Sequence, residues 1–378
     1  MNFCFRMGTS HDSYLHRMAK AVIAAAIISG AVPAFTQGPT EPPSSGLINP
    51  RAIVFNPATG KVYAVDTEHG AIQIYSGGSK QARRVIVGDG PVSIAVNPAN
   101  GKVYVANAGG GTLTVLDGNS DSVVATIPVG SHPYSVAVNS ATGKVYVTHT
   151  FGDQLSIVDG TTNQASQLET GSSDLIAIDS RKGMLYLLGY GGAVKVLDDA
   201  TMKLTERSVG KHAWGLMLND VTGVVYVTRI EDEDLAVVEP GSLNSTSLPA
   251  GGIPCAIAVN VKANKLYVAN YGDNSVSVID ASTGRKTATV PVGRHPKAIA
   301  FDGSRDLVYV SNTSDGTVTV IDAANNGVLS TLSAGKNPYA LAVVPGSSQL
   351  YVANEADDKA STVVDVVETD RVKQYARR

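Results

Sequence analysis

The chain has 378 residues, of which 38 are glycine and 17 are proline, and its formal net charge at pH 7 is -3. A balance this close to neutral gives no basic surface of the kind that nucleic-acid-binding proteins use, so we expect no nucleic-acid partner. The length would suggest roughly two or three domains, but a repeat array can grow within one domain by adding units.

The N-terminal segment has the features of a secretory signal. Arg17 and Lys20 precede a short apolar run from Ala21 to Phe35, which at about 15 residues is shorter than the roughly 20 that a spanning helix needs. Val32-Pro33-Ala34 fits the small-x-small rule for cleavage. The sequence therefore predicts a signal peptide over residues 1–34, with Met18 as an alternative start and an uncleaved anchor as the alternative reading. We expect a periplasmic, secreted or cell-surface protein without stable membrane insertion after cleavage.

A linker rich in Pro, Ser and Gly follows at residues 35–48, and this composition favours an extended or disordered chain. Cleavage would remove Cys4 and leave Cys255 as the one remaining cysteine. A single cysteine cannot form an internal disulfide, so the exported protein must depend on its hydrophobic core.

Residues 49–378 consist of eight repeats of about 41 residues, marked by a tyrosine in a "VYV"-like phrase. These tyrosines are Tyr63, Tyr104, Tyr146, Tyr186, Tyr226, Tyr267, Tyr309 and Tyr351. Each repeat holds four short apolar segments separated by turn residues, which predicts a four-stranded antiparallel sheet. A period near 40 residues with this content predicts an all-β fold, a β-propeller of four-stranded blades. We favour eight blades; seven is the alternative, and it would require one terminal repeat outside the ring.

The first strand of each repeat alternates Ala with large apolar residues, so we place it innermost, where strands crowd near the axis. The fixed register of Tyr104, Tyr267 and Tyr309 predicts that their side chains pack between blades. The acids that close the third strands, Asp365 included, have the neighbours of turn residues, so we expect them to be turn residues.

The phrase Tyr-Val-x-Asn is the most specific pattern in the chain. It occurs at Tyr104–Asn107, Tyr267–Asn270, Tyr309–Asn312 and Tyr351–Asn354. His149 and Arg229 replace its Asn, and repeats one and four depart further. With the GKVYV lead and the terminal PVG, these repeats resemble those of the YVTN-type β-propeller proteins, from Asn49 to about Arg377. The resemblance implies a propeller of the kind found in bacterial periplasmic and archaeal surface-layer proteins, and it leaves function open.

The loops that enter the first strands are candidates for a binding face. Each contains a triplet such as His132-Pro133-Tyr134, and all of them should ring one mouth of the central channel, which we call the top face. Scaffold positions repeat while the third position varies, as a binding face requires. The predicted ligand-binding residues are Arg51, His132, Tyr134, His212, Trp214, His295, Lys297, Asn337 and Tyr339. The alternative is that His-Pro and Asn-Pro are turn-forming consensus residues whose neighbours have drifted.

The candidate metal ligands are three histidines that hold the same repeat position in this ring, namely His132, His212 and His295. Because alternate blades should hold them too far apart for joint coordination, we expect no metal. No Gly-x-Ser-x-Gly, haem-attachment or phosphate-loop motif occurs, so we expect no catalytic residue and no cofactor.

The sequence thus favours an exported, non-enzymatic and monomeric propeller that binds a protein or a cell-envelope polymer at its top face. Two alternatives stay open. One is a lactonase-like hydrolase, an activity that some similar propellers have. The other is a structural cell-surface protein that assembles with itself through its blade rims.

Overall fold

The structure is a computed structural model that describes residues 53–76, 78–189, 192–210, 212–240, 245–355 and 362–369. The predicted signal peptide, the linker, Arg51 and the expected last strand at residues 371–376 lie outside these ranges. Among the described residues, no helix has the length and apolar character to cross a membrane.

Each of the first seven repeats forms a four-stranded antiparallel sheet, a blade, whose strands pair in chain order. Blade 1 has β1 (Ile53–Asn56), β2 (Lys61–Asp66), β3 (Ala71–Ser76) and β4 (Arg83–Ile86). Blade 2 has β5 (Pro91–Val96), β6 (Val103–Asn107), β7 (Thr112–Asp117) and β8 (Ser122–Pro128). Blade 3 has β9 (Pro133–Val138), β10 (Lys144–His149), β11 (Gln154–Asp159) and β12 (Ala165–Glu169).

The middle and later blades repeat the same order. Blade 4 has β13 (Leu175–Asp179), β14 (Met184–Leu188), β15 (Ala193–Asp198) and β16 (Leu204–Ser208). Blade 5 has β17 (Ala213–Leu218), β18 (Val225–Arg229), β19 (Asp234–Val238) and β20 (Ser245–Pro249). Blade 6 has β21 (Pro254–Asn260), β22 (Lys265–Asn270), β23 (Ser275–Asp280) and β24 (Arg285–Pro291). Blade 7 has β25 (Pro296–Asp302), β26 (Leu307–Asn312), β27 (Thr317–Asp322) and β28 (Val328–Ser333), with one 3-10 turn at Thr313–Asp315.

The eighth repeat contributes a sheet of three strands within the described residues, namely β29 (Pro338–Val343), β30 (Gln349–Glu355) and β31 (Thr362–Glu368). This eighth sheet takes a place in the circle of blades, between blade 7 and blade 1, because β29 contacts both β25 of blade 7 and β1 of blade 1. The all-β propeller is confirmed. The described chain has seven four-stranded blades, the alternative count. The expectation that this count would leave a terminal repeat outside the ring was wrong, because the eighth repeat forms a three-stranded sheet between blades 7 and 1.

The order of strands from axis to rim follows their apolar content. The first strands of neighbouring sheets contact each other all around the ring, and β5 and β9 are buried at every residue. The fourth strands, such as β8 and β12, are mostly exposed. This confirms that the first strands are innermost, where alternating Ala allows close approach.

Strand pairing corrects one detail of the last repeat. In blades 2 and 7 the residue two positions after the partner of the repeat tyrosine is Asp117 or Asp322. In the eighth sheet Tyr351 pairs with Val366, so Glu368 occupies that position. Asp365 instead pairs with Val352 in the middle of β31. The expectation for Asp365 was wrong because a Val-rich strand gives no internal marker of register.

Antiparallel order places two kinds of loop on each end of the ring. The top face carries the crossovers into the first strands and the hairpins between second and third strands. The bottom face carries the other hairpins. There, lysines at the start of second strands bind the neighbouring blade: Lys61 Nζ donates to Gly118 O (2.9 Å), Lys102 Nζ to Gly160 O (2.7 Å) and Lys265 Nζ to Ala323 O (3.0 Å). The bottom side chains therefore join blades to one another.

Candidate functional site

In most described blades the variable third residue of the crossover triplet occupies an irregular position at the start of the first strand, whereas Leu175 of blade 4 pairs regularly with Leu188. In blade 2, Pro91 pairs with Asn107 and Ser93 pairs with Ala106, which leaves Val92 without a partner. The same register shift falls at Trp214, Cys255, Lys297 and Tyr339. Blade 3 shifts register close to Tyr134. These residues therefore occupy β-bulges, which free a side chain from the alternation of the strand.

Two of the predicted anchors lie between neighbouring sheets. Tyr134 is 5% exposed and belongs to the same apolar cluster as Leu175 and Leu188 of blade 4. Tyr339 is 1% exposed and packs with Ile53 and Ala64 of blade 1. Their rings offer a partner little surface in this structure, and their role in binding stays a prediction.

Other members of the predicted ring are at least partly exposed. Trp214 and Lys297 are half-buried bulge residues. Lys297 Nζ lies 5.9 Å from the centre of the Tyr339 ring and 4.0 Å from Glu355 Oε1, so its charge is shared between an aromatic face and a carboxylate. Arg51 is outside the described residues.

The first residue of the triplet has a defined backbone role. His132, His212, His295 and Asn337 all adopt left-handed conformations, with φ of 49°, 52°, 53° and 48°. Their carbonyl oxygens accept hydrogen bonds from the N–H groups that follow the second strands, at 3.0 to 3.2 Å from Thr150, Ile230, Thr313 and Glu355. His and Asn tolerate this conformation better than most residues. The geometry supports the alternative reading of these four residues as turn formers, without excluding contacts from their side chains.

The three ring histidines have separate surroundings. His212 Nδ1 lies 2.8 Å from Glu231 Oε2. His295 stacks on Tyr271 with ring centres 4.5 Å apart, and its Nδ1 lies 2.6 Å from Ser314 Oγ. His132 is exposed. Within the described chain, no group of three or more His, Cys, Asp or Glu side chains could hold a metal ion.

The Asn of the Tyr-Val-x-Asn phrase connects the second and third strands. Asn107 Nδ2 donates to Thr112 Oγ1 (3.0 Å) and Thr114 Oγ1 (2.9 Å). Equivalent pairs form at Asn270 and Asn312. The residue is therefore structural, and a repeat that lacks it needs another polar group at the same place.

Three consecutive blades supply that group differently. In blade 3, His149 lies 2.8 Å from both Ser156 Oγ and Ser131 O, and burial lowers the pKa of its imidazole. In blade 4, Gly189 replaces Asn, and the buried Lys195 donates from Nζ to Ser172 O (2.9 Å). In blade 5, Arg229 binds Asp234 with two nitrogens and Val209 O with a third. In blades 3, 4 and 5, other polar side chains therefore take over the structural role that Asn has in the repeat phrase.

One exposed top-face residue was missed by the sequence analysis. Phe151, in the hairpin between β10 and β11, is 86% exposed and has a φ of 60°. The equivalent hairpin positions in blades 1, 2, 5, 6 and 7 hold Glu68, Gly109, Glu231, Gly272 and Ser314. Alignment of the hairpin tips would have revealed this aromatic residue among polar and glycine neighbours.

Comparison with known proteins identifies the fold without identifying a family. No family model matches the chain, and no curated protein matches it. The resemblance to YVTN-type repeats therefore stays a prediction.

Solved structures with the same fold are numerous but distant in sequence. The C-terminal WD40 domain of Sif2 is 14% identical with a TM-score of 0.69, over 84% of this chain and 94% of that one. Saccharomyces cerevisiae Sqt1 is 13% identical with a TM-score of 0.68, over 89% and 100%. Kuenenia stuttgartiensis hydrazine synthase is 14% identical with a TM-score of 0.57, over 89% and 99%. At these identities the likeness establishes the fold alone: this chain is a β-propeller.

Proposed function

We propose that this protein is an exported, non-enzymatic scaffold whose top face binds another protein. The observation that carries the proposal is the contrast between the two faces. Several bottom-face lysines and tyrosines bind a backbone carbonyl of the neighbouring blade, as Tyr63 and Tyr267 do through Gly118 O and Ala323 O. The top-face loops vary in sequence between blades and present exposed side chains such as His132 and Phe151.

The proposal agrees with what regular scaffolds do in general. Binding residues concentrate on variable loops that a rigid framework positions, and a few partly buried anchors supply most of the affinity. Trp214 and Lys297 have this character, since each sits in a bulge with part of its side chain exposed. A role in protein interaction is also what the WD40-like neighbours suggest.

Export is part of the proposal and rests on the signal-like segment before residue 35. Cleavage after Ala34 would give a mature chain beginning at Phe35. Intact-mass measurement of protein recovered from the periplasm or medium tests this directly. A chain that keeps residues 1–34 in the cytoplasm would contradict it.

The binding role is tested by a pull-down from cell-envelope extract with mature protein as bait. The test variant combines His132→Ala, Trp214→Ala and Lys297→Ala. The matched control is Val221→Ser, which changes a 49% exposed residue in a bottom-face hairpin. We expect a protein that wild type and control retain and that the folded triple variant loses. Retention of nothing, or equal retention by all three baits, would contradict the proposal.

A further inference from the structure

Phe151 combines two unfavourable features at one position of the top face. Its ring is 86% exposed, so its apolar surface remains in water. Its φ of 60° places a bulky side chain in the left-handed region, which is unfavourable for residues other than Gly, Asn and Asp. A strained outlier of this kind is grounds for a functional hypothesis.

The hairpin that carries Phe151 is fixed at both ends. Thr150 N donates to His132 O (3.0 Å), and Thr170 N donates to Asp153 O (2.9 Å). Gly152 follows directly, and a Cβ there would lie 2.8 Å from the Cβ of His149. The backbone of this turn is therefore held by hydrogen bonds on both sides of Phe151. Because the backbone is already ordered, it would lose little conformational entropy when a partner covers the aromatic ring.

The loops around Phe151 contain carboxylates and no Lys or Arg of their own, although the buried Lys195 of β15 reaches them from within the blade and donates from Nζ to Ser172 O (2.9 Å). The top-face loops at residues 88–92, 108–111, 130–134, 150–154 and 169–175 contain Asp89, Asp153, Glu169 and Asp174 and no Lys or Arg. The opposite sector of the top face differs, since Arg294, Lys297 and Lys336 lie in the crossovers of blade 7 and the eighth sheet. An apolar anchor among carboxylates selects a partner that is apolar and cationic at adjacent positions.

We propose that the top-face loops of blades 2 to 4 form a docking surface for a polypeptide segment in which an apolar side chain is flanked by Lys or Arg. Phe151 packs against the apolar side chain, and Asp153, Asp174 and Asp89 attract the cationic ones. The inference rests on the proposed function and adds the partner's chemistry and the sector that binds it.

Phe151→Asn separates a binding role from a structural one. Asn adopts the left-handed conformation more readily than Phe, so this variant should unfold at the same temperature as wild type or higher. The probe is an array of random 12-residue peptides, screened at low salt with wild type, Phe151→Asn, an Asp153→Asn and Asp174→Asn double variant, and the control Val221→Ser.

We expect wild type and control to bind peptides enriched in Lys or Arg beside an apolar residue, and about tenfold weaker binding by Phe151→Asn. The double variant should lose the preference for cationic peptides, and added salt should weaken wild-type binding. Absence of bound peptides, enrichment of uncharged or acidic peptides, or equal binding by Phe151→Asn would overturn the inference. The pull-down could instead yield a partner that the triple variant loses but Phe151→Asn retains. In that case the proposed function stands, and the assignment of binding to the top-face loops of blades 2 to 4 is wrong.

Discussion

The phenol of Tyr267 in blade 6 donates a hydrogen bond to the carbonyl oxygen of Ala323 in blade 7, at 3.2 Å. Its ring is fully buried and stacks on Phe301 of the same neighbouring blade, with ring centres 6.3 Å apart. Tyr104 and Tyr309 also belong to clusters that include residues of the next sheet. The expectation that these three tyrosines pack between blades is confirmed, and they contribute to holding the ring together.

Replacing Tyr267 should therefore destabilise the whole propeller. We expect Tyr267→Ala to lower the free energy of unfolding by about 3 kcal/mol, because a large cavity opens between two blades. Tyr267→Phe keeps the packing and removes one hydrogen bond, so it should cost about 1 kcal/mol. Chemical denaturation monitored by far-UV circular dichroism measures both. Equal values for the two variants would show that packing between blades contributes little.

The repeat period made the fold predictable, because each strand is marked by its own apolar alternation and each turn by Gly, Asn or Pro. The register of the last third strand was not predictable, since Asp365 and Glu368 are both acids in a valine-rich stretch. Position along the chain did not reveal burial either. Tyr134 and Trp214 hold the same triplet position, yet Tyr134 is buried between blades and Trp214 is partly exposed. Tyr134 shares an apolar cluster with Leu175 and Leu188 of the next blade, and such a contact between blades is not visible in a repeat alignment.

The replacement of Asn by His at position 149 should make stability depend on pH. Burial lowers the pKa of the His149 imidazole below its usual value of 6.5 in the folded protein. In the unfolded chain the ring takes up a proton near pH 6.5. Above that pH both states are neutral at this ring, and its contribution to stability is fully present. As the pH falls below 6.5 the unfolded state binds the proton first, so the contribution declines until the pH passes below the folded pKa.

We therefore expect His149→Asn to reduce the loss of stability between about pH 7 and pH 5. The Asn should also form, with Ser156 Oγ, the hydrogen bond that Asn107 forms with Thr114 and Asn270 with Ser277, so that stability at neutral pH changes little. Thermal unfolding at a series of pH values measures this dependence. The matched control is Val328→Ala, which changes a 46% exposed residue of a fourth strand and should leave the wild-type slope in place. Parallel pH profiles for wild type and His149→Asn would refute the assignment.

Arg229 should be the most important cation of the blade 5 hairpin. Its guanidinium binds Asp234 with Nε at 2.7 Å, donates to Val209 O at 3.3 Å and lies 3.1 Å from Asp232. The neighbouring carboxylates raise its pKa further. Arg229→Ala would leave Asp234 and Asp232 without their shared cation, and we expect a loss of about 2 kcal/mol in the free energy of unfolding.

The control for Arg229 is Arg83→Ala, because Arg83 is 60% exposed and its NH1 lies 3.4 Å from Asp121 Oδ2. Arg83 is the exposed member of this pair, and the buried Asp121 keeps Lys61 Nζ at 2.7 Å, so the loss should be less than about 0.5 kcal/mol. Both variants are measured by denaturant unfolding at low and high salt. A result in which Arg83→Ala is as destabilising as Arg229→Ala would contradict the argument from burial.

Cys255 should react slowly with thiol reagents in the folded protein. Its Sγ lies 3.2 Å from Pro296 O and 3.4 Å from Ala269 O, and burial raises the pKa of the thiol to about 12 despite the opposing effect of Lys297. Only the thiolate is nucleophilic, so near pH 8 native labelling by a disulfide reagent should be about a thousandfold slower than labelling in guanidinium chloride. Lys297→Met should slow native labelling further, because it removes the charge that favours the thiolate. Native labelling at the rate of the unfolded chain would show that this end of β21 opens readily, and an unchanged rate in Lys297→Met would show that Lys297 does not act on the thiol.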